Sequence, residues 1–234
     1  MAKPRFFVDS ADRGAVRDLL QSGWVHGVTT NPTVLSAAGL TVGSIPDLYD
    51  EWAGLGARTV FFQTWGDSRQ SQERRARSIL DLGDRAVVKI VATPDGLALG
   101  SRLSAEGHRV LMTAVSTPGQ ALAAAAGGVE FIAPYLGRLR DQGLADVADL
   151  CAMQELVGGP DGSGTRVLAA SIRTPDDIVA LARGGVTDVT AKPAVLAELL
   201  HSEATDKADA EFAAAPSLVE THDDQPAVDQ SETA

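Results

Sequence analysis

Lysine is scarce in this chain: four lysines stand against sixteen arginines, and Lys3 and Lys207 lie near the ends. Cysteine is scarcer. The single Cys151 cannot close an internal disulfide, which fits a reducing compartment. It falls in an apolar helical pattern with Leu150, Met153 and Leu156 and reads as a packing residue, not a nucleophile. His26, His108, His201 and His222 are scattered, with no pair at ligand spacing, so no metal and no cofactor is expected. No apolar run approaches the roughly 20 residues needed to span a bilayer, and no apolar leader follows Met1-Ala2-Lys3-Pro4. The expectation is a soluble, cytoplasmic protein with no membrane partner. No Gly-x-Gly-x-x-Gly turn follows the first strand, which argues against a dinucleotide-binding fold. Positive charge is lacking too. The net charge is -11, and the chain from Glu203 onward holds nine acids and one lysine, so residues 1–202 carry only -3. A body so nearly balanced has no basic field for nucleic acid.

What is present is an alternation. Short β-prone runs begin near Arg5, Gly27, Arg58, Ala86, His108, Glu130, Arg166 and Thr187. Each is followed by a helical stretch, several opened by a Thr-Pro pair such as Thr93-Pro94, Thr117-Pro118 and Thr174-Pro175. Eight strand–helix units predict an α/β fold, a single (β/α)8 barrel over residues 1–202. A short helix over 203–213 and a disordered acidic tail over 214–234 complete the expected domain organisation.

The run Ala86-Val87-Val88-Lys89-Ile90-Val91-Ala92 places a lysine mid-strand in an element buried on both faces. Burial favours the neutral amine and should lower its pKa. A neutral amine in a closed pocket suits Schiff-base chemistry on a carbonyl. The plainer alternative is a lysine that snorkels to the strand end or pairs with a carboxylate. With side chains alternating, Val87 and Val91 share the inward face of Lys89, and Val88 and Ile90 face the helices.

Other strands end in polar residues that converge on the same mouth: Asp9, Thr29 with Asn31, Gln63, Thr113, Tyr135 and Ser171. Taken singly, each has an ordinary use. Asp9 could cap the first helix, Asn31-Pro32 could start a turn, and Ser171 could cap the helix after it. Six strands converging on one lysine are harder to explain as packing, because unpaired buried polar groups cost roughly 1–3 kcal/mol each.

These residues also carry a resemblance. Phe7-Val8-Asp9-Ser10-Ala11, Gly27-Val28-Thr29-Thr30-Asn31-Pro32-Thr33, Val87-Val88-Lys89-Ile90, Ala133-Pro134-Tyr135-Leu136-Gly137-Arg138 and Leu168-Ala169-Ala170-Ser171-Ile172-Arg173 together resemble the small transaldolase and fructose-6-phosphate aldolase family, in order from about residue 5 to 202. The resemblance implies a (β/α)8 barrel whose Lys89 forms an imine with a ketose phosphate or dihydroxyacetone unit. It implies that Asp9 handles the proton of the hydroxyl whose loss breaks the C–C bond, and that Thr29 and Asn31 hold substrate hydroxyls. Gln63 and Thr113 would position a water, with Tyr135 as acid or base through it. Ser171, Arg138 and Arg173 would bind the phosphate, a task suited to guanidinium groups. Gln63, Leu111 and Tyr135 stand where the transaldolase branch usually has Glu, Asn and Phe, so the resemblance leans to the aldolase branch, with transfer to an aldose phosphate as the alternative. The family implies assembly through its C-terminal helix, hence at least a dimer.

The chain departs from the pattern at Val91 and Lys192, where relatives have proline, and at Trp65-Gly66, which is expected to reshape the donor or acceptor pocket. Lys192 could add charge for phosphate, lower the pKa of Lys89 by repulsion, or lie on the surface. Two functions without an imine stay open: a sugar-phosphate isomerase or epimerase working through Asp9 and Tyr135, and a silent barrel kept as a scaffold.

Overall fold

A computed structural model describes residues 3–159 and 164–223. The β-prone runs form β1 (Arg5–Asp9), β2 (Val25–Thr29), β3 (Thr59–Gln63), β4 (Ala86–Val91), β5 (Val110–Val115), β6 (Phe131–Pro134), β7 (Arg166–Ile172) and β8 (Asp188–Ala191). Each pairs in parallel with the next, and β8 closes on β1. The expected (β/α)8 barrel is therefore the observed fold. Its helices are α1 (Arg13–Gln21), α2 (Pro32–Ala37), α3 (Ile45–Gly54), α4 (Arg69–Leu80), α5 (Pro94–Ala105), α6 (Pro118–Ala126), α7 (Leu136–Asp141), α8 (Val147–Val157), α9 (Pro175–Arg183) and α10 (Pro193–Glu198).

Helix starts follow from local chemistry. Thr93, Thr117 and Thr174 each accept a hydrogen bond from the amide three residues on, with proline next in the chain. Asp12 caps α1, which frees Asp9 from that duty, and Thr174 rather than Ser171 caps α9. Asn31 does cap α2, its side chain accepting from Val34. Helix α7 starts without such a cap: the chain turns directly from β6 into a six-residue helix whose N-cap, Tyr135, makes no side-chain cap bond.

One compact unit holding the barrel runs to Leu196. In the second unit, α11 runs Glu203–Asp223, past the expected helix end at 213. The remainder of the expected acidic tail, residues 224–234, lies outside the described residues. Cys151 is half-buried, and burial raises its thiol pKa, in keeping with a packing role.

The inward faces of the strands are layered. On β1 the alternate residues are Arg5, Phe7 and Asp9, and on β8 they are Asp188 and Thr190. The middle layer is apolar: Phe7, Phe61, Val87, Leu111, Phe131, Ala133 and Leu168 form one buried cluster. Phe61 meets Phe7 and Phe131 edge-on, both at 5.3 Å between ring centroids. Below this layer, at the strands' N-terminal ends, Asp188 is 1% exposed and accepts bidentate bonds from both Arg5 (2.8 and 2.6 Å) and Arg166 (2.6 and 2.9 Å). The Arg5 guanidinium lies over the Phe131 ring. Val91, expected to share the inward face, is instead 41% exposed at the end of β4. Gly27 is needed where β2 meets β3, because a Cβ there would lie 1.9 Å from the Thr59 carbonyl oxygen. Among the described residues, no helix is long and apolar enough to cross a membrane.

Candidate active site

Above the apolar layer the strands' C-terminal ends surround a cavity of about 610 Å³. Lys89 reaches its floor from β4, one step above Val87 in the alternation, and is 5% exposed. Its Nζ donates to the backbone carbonyl of Thr30 at 2.8 Å. Burial lowers its pKa, opposed by the nearby Asp9 carboxylate. The snorkelling alternative is thereby set aside. A neutral amine that gives one N–H to Thr30 keeps its lone pair free for attack.

Asp9 lines the same cavity from β1. It accepts a hydrogen bond from Thr29 Oγ1 at 2.8 Å, and Thr29 Oγ1 lies 2.6 Å from Thr190 Oγ1. A hydroxyl has one proton, so with Thr29 donating to Asp9, Thr190 must donate to Thr29. The chain Thr190–Thr29–Asp9 thus orients the carboxylate. Thr29 is fully buried, its hydroxyl engaged by Asp9 and Thr190. Asn31 lines the cavity while its side chain caps α2.

Across the mouth, Tyr135 lines the cavity and shares a 2.6 Å hydrogen bond with Thr113, which is 1% exposed and sits behind the wall. Gln63, half-buried, pairs in register with Lys89 and shares the inward face of β3 with Phe61. Arg138, carried into place by α7, stacks over the Tyr135 ring at 4.8 Å and lines the cavity with Ser171 and Arg173. Arg173 is held by a two-pronged ion pair with Asp141, the last residue of α7. Ser171 takes φ +58°, a conformation that costs a non-glycine residue roughly 1–2 kcal/mol. The β7–β8 register slips across it. A second slip, between β5 and β6 at Ala114 (φ 58°), follows Thr113. Such bulges re-aim side chains, and both occur at the mouth.

Two cavity residues enter that sequence reasoning left out or left open. Thr190 was unmarked because a threonine in a strand reads as an ordinary β-former. Its inward position, two residues after the charged Asp188, is the signal that could have exposed it. Lys192, two residues further on, is exposed at the rim and lines the cavity. Trp65, by contrast, lies outside this cavity. Its ring sits under Arg75 at 4.9 Å, and its carbonyl accepts from the same guanidinium. No group of three or more metal-ligating side chains is clustered among the described residues.

In comparison with known proteins, residues 6–234 match the family model described as Transaldolase/Fructose-6-phosphate aldolase. A protein of Ruegeria sp. (strain TM1040) named probable transaldolase is 36% identical over 203 residues, covering 87% of this chain and 92% of the relative. Proteins of the same name from Cereibacter sphaeroides (strain ATCC 17029 / ATH 2.4.9) and Brucella anthropi are 35% and 34% identical over 203 residues, covering 87% of this chain and 91% and 92% of their own lengths. Among solved structures, a 4-hydroxy-tetrahydrodipicolinate synthase from Methylacidiphilum fumariolicum SolV superposes with a TM-score of 0.59 at 12% identity, over 84% of this chain and 70% of that one. A thiamine phosphate pyrophosphorylase from Pyrococcus furiosus gives 0.54 at 13% identity, over 81% and 85%. At such identities these two share the fold with this chain and nothing finer.

Proposed function

The chain belongs to the transaldolase/fructose-6-phosphate aldolase family and is an enzyme of aldol-type transfer chemistry; from that premise we propose that Lys89 is the amine that captures a ketose phosphate as an imine. The observation that carries this reading is a buried lysine with lowered pKa, bonded to a backbone carbonyl and facing a carboxylate in one cavity. The amine adds to the ketone, water leaves, and the protonated imine becomes an electron sink for the adjacent C–C bond. Asp9, oriented by Thr29, accepts the proton of the hydroxyl at the bond that breaks. An aldehyde departs, leaving an enamine on Lys89. That enamine is either protonated and hydrolysed to free dihydroxyacetone or attacks a second aldehyde. Gln63 and the Thr113–Tyr135 pair position the water and proton for the first route, which favours aldol cleavage over transfer. Asn31 holds donor hydroxyls, and Ser171, Arg138 and Arg173 take the phosphate.

Borohydride reduction in the presence of dihydroxyacetone tests the imine. A mass increase located on Lys89 is expected; an unmodified Lys89 in protein that still turns over ends this reading and leaves the isomerase alternative. Measuring free dihydroxyacetone with and without an added aldose phosphate then separates release from transfer.

The pH dependence follows from the lysine. Imine formation needs the neutral amine, so its rate rises with pH and levels off at a value below the ordinary lysine pKa. Trapping rates across pH check this, and a limb that climbs to the ordinary lysine value contradicts it.

Gly137 offers a separate test of the phosphate end. A Cβ there would lie 2.6 Å from the Ser171 carbonyl oxygen and 2.7 Å from Arg173 Nε. Gly137→Ala is expected to cost about 1–3 kcal/mol of stability through overpacking. It should also raise KM for phosphorylated substrates several-fold while KM for free dihydroxyacetone changes little. Equal changes in both would remove Ser171 and Arg173 from the phosphate site.

A further inference from the structure

A second pocket, of about 650 Å³, opens at the opposite end of the barrel, where the strands begin. That end of a (β/α)8 barrel ordinarily serves stability alone. Here its charge is out of balance. Arg5, Arg166, Arg58 and Lys3 all line the pocket. Asp188 answers Arg5 and Arg166 with one carboxylate, through Nε and Nη2 of each, so each Nη1 keeps donors not used on Asp188. Arg58 and Lys3 are exposed and have no ion pair among the described residues. The nearby Arg109 is matched by its own bidentate partner, Glu130, at 2.7 Å on both arms. Three positive charges therefore stand uncompensated around one pocket of a protein whose net charge is -11.

We propose that this pocket is an anion site separate from the cavity around Lys89, and that it holds a polyphosphate group. Guanidinium forks with spare donors match phosphoryl oxygens in geometry and charge, and several cations around one concave surface favour a multivalent anion over a single carboxylate. Two aromatic rings also line the pocket: Trp24 packs edge-on against Phe6 at 5.5 Å and offers a surface for a base or other flat group. His26 also lines the pocket, and its pKa reports the same field. Burial, and after it the charges of Arg5 and Arg58, hold it down to about 4. An anion bound among these cations offsets that field and moves the His26 titration upward.

Inorganic pyrophosphate and ADP are the probes, titrated into the full chain by calorimetry while the ring resonances of His26 are followed by NMR. The mouth of the barrel also carries cations, so the titration is repeated in an Arg138→Ala/Arg173→Ala variant. Binding is expected to persist there, to shift His26 and raise its titration midpoint, and to weaken at least tenfold in Arg58→Gln/Lys3→Gln. Both replaced side chains in that last variant are exposed, so the fold is not at risk. ADP binding tighter than pyrophosphate assigns the site to a nucleotide lying on Trp24, and equal binding assigns it to the inorganic anion. Binding that vanishes with Arg138 and Arg173, that survives loss of Arg58 and Lys3, or that leaves His26 unmoved overturns the proposal, as does the failure of pyrophosphate to bind.

Discussion

Lys89→Met is expected to abolish turnover, by at least about a thousandfold in kcat, while leaving the barrel folded. Methionine fills nearly the same volume and is at home in a core, so packing against the barrel interior is kept. What is lost is the only nitrogen able to form the imine at this position. Stability should stay level or rise. Below the ordinary lysine pKa the unfolded chain binds the Lys89 proton more readily than the fold does. The native lysine therefore subtracts stability, increasingly as pH falls toward its folded pKa, and the variant is free of that cost. Thermal unfolding with kinetics on the same samples provides the check. A variant retaining more than a tenth of wild-type activity would show that the reaction does not pass through an imine on Lys89. Lys89→Arg discriminates further, since a guanidinium supplies charge without a nucleophilic amine and should be as inactive as methionine.

Asp188→Asn is expected to destabilise the protein by about 3–5 kcal/mol, because two half-buried guanidiniums lose the one carboxylate that offsets them. For a chain of this length that is a fall in Tm on the order of 10 °C. Burial alone would push the Asp188 carboxyl up, but the hydrogen bonds from Arg5 and Arg166 outweigh it and hold the group below the usual range. A depressed carboxyl contributes stability that is present above its unfolded pKa and lost as pH falls through the folded value. In Asp188→Asn that acid-sensitive component disappears, so stability is lower at neutral pH and flatter below pH 4. Activity well below the new Tm should survive, since the apolar layer separates this triad from Lys89. Unchanged unfolding would mean that Arg5 and Arg166 are satisfied by water without Asp188.

The barrel was legible because its units repeat: a β-prone run, a Thr-Pro or Asp cap, a helix, a glycine. Lys89 was legible for a different reason, since a charge amid apolar neighbours in mid-strand contradicts burial unless it has a use; Asp9 stood out as a carboxylate at the end of the first strand. The hydrogen bonds of Thr29 to Asp9 and Thr190 were not legible, because sequence shows that two residues share a face and not which side chains of neighbouring strands they meet. Arg138 could be anticipated only by resemblance. Its position depends on α7, a six-residue helix without a capping side chain, and so short an element leaves no periodicity to detect. Trp65 looked like a pocket residue because it follows Gln63, yet the strand ends at Gln63 and the chain turns away to meet Arg75. Lys3, Arg58 and Arg166 drew no notice as a group. They are 163 positions apart at the extremes and adjacent only once the strands close into a ring.

The tier of phenyl rings between Lys89 and the Asp188 triad gives the barrel the character of a vessel sealed at the base. Phe7, Phe61 and Phe131 are fully buried. If Lys89 forms the proposed imine, every water consumed or released at the amine, and every hydron exchanged into a bound donor, is expected to travel by the rim. Label from deuterated solvent should thus enter product only at times when the rim is unblocked, so a phosphorylated substrate seated across Arg138 and Arg173 would act as the stopper for the reaction beneath it.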